Sequence, residues 1–244
     1  MCGRFVLTTP AQALAAHFQA SSSENLLALP RYNIAPSQDV VAVRIEHGRR
    51  RLVMLRWGLV PAWARDASIG NRMINARAET AAEKPSFRHA LAQRRCIVPA
   101  SGFYEWKPQG RRKQPWYFRA VRHQARSAPD DALLAMAGLW ERWIAPDGQA
   151  LESCAVLVTA ANALVAPVHD RMPVLLAPQD YQRWLDPQLE AAAVEPLLVP
   201  APDGALVGYP VTTAVGDPKN DDPGNIEPLE AASEQAAPQV LKLS

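Results

Sequence analysis

Gly102-Phe103-Tyr104-Glu105-Trp106-Lys107 and, further on, Trp116-Tyr117-Phe118-Arg119-Ala120-Val121 decide the fold. Both runs are rich in aromatic side chains, which suit a pleated, half-buried surface. The polar segment 107–114 between them ends at Pro115, so the pair reads as two strands joined by a hairpin loop. Strand-like runs recur at 40–45, 52–57, 96–98, 133–140 and 154–159. His47-Gly48 joins the first two of these as a turn. Ala145-Pro146-Asp147-Gly148 is another, with proline presetting one backbone angle and glycine taking the positive one.

Helices are few and short. Thr9-Pro10-Ala11-Gln12 reads as a helix start, with a threonine cap, proline in the first turn and glutamine closing a capping box. Leu14 and Phe18 then share a face, and Ser21-Ser22-Ser23 reads as a loop. A second helix is expected near Pro85, with Phe87 and Leu91 one turn apart, and others after Pro178 and Pro187. Strands joined by turns rather than by long helices predict an α+β fold. Its expected form is a mainly antiparallel, barrel-like β core with peripheral helices in a single domain over residues 1–229. Residues 230–244, rich in alanine, glutamine and glutamate, are expected to be a flexible C-terminal tail.

The chain has 244 residues, enough to bury a core, and 48% hydrophobic with 20% charged residues is the balance of a globular protein. No apolar run approaches the roughly 18 residues of a membrane span, and the start has no signal-peptide core, so a cytoplasmic location is expected. Three scattered cysteines (Cys2, Cys96 and Cys154) do not make a disulfide framework, and no metal site or small-molecule cofactor is expected. A formal net charge of +2 does not point to nucleic acid, although arginine carries most of the positive charge and its planar fork suits phosphate.

Cys2 is the first residue with distinctive chemistry. If Met1 is removed, Cys2 carries a free amine and a thiol on neighbouring carbons. Such an aminothiol condenses with an aldehyde to an imine, and the thiol closes onto the imine carbon as a thiazolidine. The α-amino group titrates near about 7.7–8.0, so a useful fraction is nucleophilic at neutral pH. Arg4 is expected to lower the thiol pKa and attract an anion. The bland reading is an incidental cysteine.

In Asn75-Ala76-Arg77-Ala78-Glu79-Thr80, an extended chain sets residues 75, 77 and 79 on one face. Asn75 offers an amide to a hydroxyl or oxyanion and Arg77 a phosphate clamp. A solvated strand face with an Arg77–Glu79 pair is the alternative. Glu105 sits among three aromatics, where desolvation would raise its pKa into the range useful for proton transfer; a cross-strand ion pair is the alternative. His169 lies in a rigid, exposed loop bracketed by Pro167 and Pro173, either as a proton shuttle or without function, with Arg171 able to hold a phosphate. Trp57 is assigned to the core, while Trp63 is read either as core or as a side chain that stacks on bases.

Taken in order, Met1-Cys2-Gly3-Arg4-Phe5, Arg31-Tyr32-Asn33-Ile34-Ala35-Pro36, Trp57-Gly58-Leu59-Val60-Pro61 and the runs at 75–80, 102–107 and 169–173, followed by Val215-Gly216 and Asn220, resemble the SOS response-associated peptidase (abasic-site processing) family. The resemblance spans the chain to about Leu229. It implies self-trimming of Met1, then a covalent thiazolidine link from Cys2 to the aldehyde of an abasic site in single-stranded DNA, which shields the lesion during the DNA damage response. It also implies autopeptidase and lyase activity and a monomer. On this resemblance Cys2 is the nucleophile, Asn75 stabilises the crosslinked sugar, Glu105 positions or deprotonates the amine, and His169 shuttles a proton. Arg4, Arg77 and Arg171 would hold phosphates, and Trp63 would wedge against neighbouring bases. Ala64 leaves no second stacking aromatic after Trp63, and the tail has no counterpart. Two other readings compete. A self-processing thiol peptidase would use Cys2, His169 and Glu105. A non-covalent single-stranded DNA binding module would need only the arginines and tryptophans, and high salt would abolish its binding.

Overall fold

The computed structural model describes residues 2–22, 29–121 and 133–229; the expected C-terminal tail, Ser23 and Met1 lie outside the described residues. In chain order the elements are β1 (Phe5–Leu7), α1 (Ala11–Phe18), β2 (Ser21–Ser22), β3 (Arg31–Ile34), β4 (Asp39–Glu46), β5 (Arg49–Trp57) and β6 (Asn75–Arg77). Then come α2 (Arg88–Gln93), β7 (Arg95–Ala100), β8 (Gly102–Gln109), β9 (Arg112–Ala120), β10 (Leu134–Ile144) and β11 (Ala150–Ala160). The last are β12 (Arg171–Pro173), α3 (Tyr181–Leu185), α4 (Ala191–Val194) and β13 (Leu206–Pro210). The fold is α+β, a β core with short peripheral helices.

Five of these strands close on themselves. β4 pairs antiparallel with β5 and with β7, β7 with β10, and β10 with β11. The ring closes where β11 runs parallel to β5, Ser153 opposite Arg56 and Cys154 opposite Trp57. Trp57 is fully buried, packs edge-on against Phe5 at 5.1 Å and donates its indole N–H to the Ile74 carbonyl at 2.9 Å. Burying side chains of that size contributes about 2–3 kcal/mol each.

A second sheet, in the order β13-β9-β8-β1-β3, lies against the barrel. Its two faces follow from the period of two along each strand. Phe5, Leu7, Phe103 and Phe118 join the barrel core. Val6, Tyr104 and Tyr117 form a smaller cluster with Val211 and Val215 on the other face. Residues after β13 cover that face, since the Tyr209 hydroxyl donates to Ile226 O at 3.0 Å and the Tyr104 hydroxyl reaches Asn225 O at 3.4 Å.

Several local expectations change. α1 begins with Pro10 in the capping position and no side-chain cap, so the Thr9–Gln12 capping box does not form. Ser21 and Ser22 pair parallel with Arg51 and Leu52 of β5 rather than forming a loop. The hairpin loop is far shorter than 107–114, because the β8–β9 ladder runs out to Gln109 opposite Arg112. Polar side chains on both arms concealed that ladder. The His47-Gly48 turn is present, with positive φ at both residues (50° and 76°), the combination that matches strand twist in a two-residue hairpin. The helix expected near Pro85 starts at Arg88, with Leu91 N–H bonded to Phe87 O at 2.8 Å. The helix expected after Pro187 is the single turn α4.

Candidate active site

The second half of β11 organises the site. β6 runs parallel to it on one side, Asn75 opposite Val156 and Arg77 opposite Val158. β12 pairs with it antiparallel, Thr159 opposite Met172 and Ala160 opposite Arg171. Asn75 at the start of β6 and His169 just before β12 are thereby carried to one end of the barrel. The chain start arrives there from the second sheet. β1 lies beside β8 with Phe5 opposite Phe103, and Tyr104 N–H donates to Arg4 O at 3.0 Å, which continues the register toward Glu105.

Cys2 is fully buried. The Asn75 side-chain amide donates to its carbonyl at 2.8 Å, while the buried Oδ1 of the same amide has no hydrogen-bond partner among the described residues. Burial pushes the Cys2 thiol well up, and the charge of Glu105 adds to the effect. This reverses the expectation that Arg4 would lower it. The Arg4 guanidinium is committed elsewhere: its Nη1 donates to Asn33 Oδ1 at 2.7 Å and to Val215 O at 2.8 Å.

Glu105 is only 2% exposed, and burial pushes its carboxyl up to about 7. Burial also lowers the pKa of His169. Backbone N–H of Arg171 donates to His169 Nδ1 at 3.0 Å, which places the proton of the neutral ring on Nε2. Asp170 Oδ1 also lies 3.0 Å from Nδ1, but that carboxylate is 84% exposed and the desolvated ring stays neutral. His169 is half-buried at a strand entry, not on the exposed loop expected from its flanking prolines, because Arg171 pairs with β11.

A cleft of about 370 Å³ is lined by Arg4, Glu105, Trp106, Lys113, His169 and Gly216. Arg4, Glu105 and His169 thus share one cavity, and Cys2 and Asn75 are joined beside Glu105 by a hydrogen bond. The other expected residues are placed differently. Glu79 lies in a 3-10 turn, Ala78–Thr80, beyond the end of β6, so residues 75, 77 and 79 do not share one strand face. Glu79 pairs with Arg171 rather than with Arg77, and Arg77 is exposed. Trp63 is 59% exposed and lines a second cleft of about 360 Å³ with Arg65, Ile69 and Arg72. The loop that presents it is fixed, because the Trp143 indole donates to Ala64 O at 2.7 Å.

Three contributors carried no assigned role in the sequence reading. Asn33, 1% exposed, accepts from Arg4 and donates to the carbonyls of Val215, Asp217 and Asn220 at 2.8–3.2 Å, tying the segment around Gly216 to β3. Lys113 and Trp106 line the cleft itself. Lys113 was hidden in the polar run taken for a loop. The motif around Asn33 was visible, but its contacts 182–187 residues away were not.

A buried thiol at the chain start, an amide on its carbonyl, a carboxyl raised toward neutrality and a neutral imidazole define a thiol-centred site at the end of a small β-barrel. The sequence profile of the family described as SOS response associated peptidase (SRAP) matches residues 1–218, and the chain belongs to that family. It is 40% identical over 230 residues to abasic site processing protein YoqW of Bacillus subtilis, covering 93% of this chain and 99% of that one. It is 31% identical to abasic site processing protein HMCES of Xenopus tropicalis, over 80% of this chain and 64% of that one. Among solved structures, a protein from Bacteroides thetaiotaomicron is similar with a TM-score of 0.81 and 26% identity, covering 93% of this chain and all 100% of that one.

Proposed function

We propose that this protein processes abasic sites in DNA, and that it does so by covalent capture through Cys2 once Met1 has left. One observation carries the reading. Cys2, held by Asn75, sits within electrostatic reach of Glu105, which shares its cleft with His169. Relatives named as abasic site processing proteins supply the substrate class.

The amine of Cys2 adds to the open-chain aldehyde of the lesion, and loss of one water gives an imine. The thiol sulfur then bonds to the imine carbon while its proton moves to the nitrogen, closing a thiazolidine. A thiol whose pKa is raised by burial stays protonated, so ring closure needs a nearby acceptor. Glu105, titrating near 7, can take a proton from the amine or thiol and return it. His169, with its proton on Nε2, serves the sugar oxygen that must be protonated as the ring opens. The unpartnered Asn75 Oδ1 accepts from a hydroxyl of the opened sugar. Autopeptidase removal of Met1 by the same thiol, carboxyl and imidazole completes this reading. The partner is single-stranded DNA, met by Trp63 and Arg77 on the surface.

The test is a single-stranded oligonucleotide carrying one abasic site, run on a denaturing gel with protein whose Met1 is absent. A covalent band with the mass of both components less one water is expected, and an undamaged oligonucleotide gives none. Cys2→Ala keeps the terminal amine but cannot close the ring. It should give an imine trapped only by borohydride, and strand cleavage by β-elimination where the wild type protects. Absence of a covalent band from intact wild-type protein would overturn the reading.

A further inference from the structure

The cleft contains a cation that the chemistry above does not use. Lys113 stands near the end of the β8–β9 hairpin, opposite Pro108, and its side chain lines the same cavity as Arg4, Glu105 and His169. It is exposed and makes no hydrogen bond or ion pair among the described residues. Two other cations near the site are engaged. Arg4 spends Nη1 on Asn33 and Val215, and Arg171 is paired with Glu79. The Lys113 ammonium also reaches the imidazole electrostatically, adding a small push to the burial that keeps His169 neutral. An ammonium on a flexible stem beside the reacting groups, with no carboxylate of its own, is suited to an anion brought in by the substrate.

The chemistry of the lesion supplies that anion. An abasic sugar within a strand carries phosphates on both sides of the carbons that open to the aldehyde. We propose that Lys113 is the phosphate contact of the capture cleft, selecting a sugar aldehyde embedded in a nucleic-acid backbone over a free sugar. This rests on the capture reading above and adds a specificity residue to it. Arg4 lines the same cavity and is held by its hydrogen bond to Val215 O, so a phosphate entering there meets one held cation and one without a side-chain partner among the described residues.

The experiment compares two aldehydes with the full chain after Met1 removal: the abasic oligonucleotide and 2-deoxyribose, which has the aldehyde and no phosphate. Adducts are quantified by intact mass. The readout is the ratio of the two capture rates. Lys113→Ala should lower that ratio about tenfold, and Lys113→Arg should restore most of it. The salt dependence of log K for the oligonucleotide should flatten by about 0.7, the loss of one phosphate contact on a single strand. A ratio in Lys113→Ala equal to that of the wild type would overturn the phosphate role, as would equal slowing on both aldehydes. If the wild type captures neither aldehyde, the capture reading itself fails. If it captures both and only the ratio stays fixed, only the role of Lys113 fails. Matching melting temperatures confirm that the variants are folded.

Discussion

At the scale of single residues, the site is a set of opposed protonation states made by burial. Glu105 is lifted to about 7 and His169 is pushed below its ordinary value, so the carboxyl can hold a proton near neutral pH while the imidazole stays neutral. The cost of this tuning is measurable. Below the ordinary carboxylate value of 4.5, Glu105 is protonated in both folded and unfolded chains. Between 4.5 and about 7 the folded chain keeps a proton that the unfolded chain has lost, so stability falls as pH rises. Above that window the penalty is constant. Glu105→Gln should therefore be more stable than the wild type by about 3 kcal/mol at pH 8 and equal to it near pH 4. Urea unfolding at the two pH values checks this. The same variant should lose the rise in capture rate through pH 7. The residue types were legible in the sequence: Cys2, Asn75, Glu105 and His169 were all singled out there. The partners of the neighbouring arginines were not, because Arg171 with Glu79 and Arg4 with Asn33 are pairs made by folding.

Among the elements, the segment that leaves β5 shows how backbone packing places a side chain for function. Gly58 has φ of +127°, and a Cβ there would lie 2.7 Å from Gly70 O. Gly70 in turn would bring a Cβ to 2.5 Å from Gly58 O. Two backbones touch at this point, closed further by Leu59 N–H on Met73 O at 3.0 Å. The loop between them carries Trp63. Gly58→Ala should cost about 2–3 kcal/mol, from both the backbone angle and the contact. The urea midpoint should drop at unchanged slope. Because the loop must shift, quenching of the exposed Trp63 by acrylamide should change as well. The short motif Trp57-Gly58 was readable; the approach of Gly70, twelve positions away, was not. Strand ends were misread for a related reason. β8 and β9 continue past their aromatic positions because their ladder partners are satisfied, whatever the polarity of the side chains.

Over the whole molecule, one buried cation joins separate parts. Arg95, 3% exposed, donates from Nε to Trp184 O at 2.7 Å and from Nη1 to Leu91 O at 2.6 Å and Ala92 O at 2.9 Å. Its Nη2 donates to Asp186 O and to Leu189 O at 3.0 Å. It thus satisfies carbonyls at the end of α2, at the end of α3 and in the turn beyond, and holds both helices on β7. Arg95→Met fills similar space but leaves these carbonyls without a donor. A loss of about 3 kcal/mol is expected, or about 6–12 °C in melting temperature for a domain of this size. Calorimetry measures it directly. A drop below about 2 °C would show that water replaces the guanidinium without penalty. Arg95 drew no attention in the sequence, where it is one arginine beside another.

The sequence alone was enough for the α+β class, the strand-rich core, the short helices and the residue types of the candidate site. These depend on local periodicity and on the chemistry of individual side chains, which can be read within a few positions. Only the tertiary structure decided the barrel closure through the parallel β5–β11 pairing, and with it the meeting of Cys2, Asn75, Glu105 and His169 at one end of the barrel. It also decided that Arg4 is engaged with Asn33 and Val215, while Lys113 lines the cleft without a side-chain hydrogen bond or ion pair among the described residues. Ladder partners about a hundred residues apart leave no local signal. Burial, which sets the protonation of Glu105 and His169, belongs to the assembled fold and to no single stretch of chain.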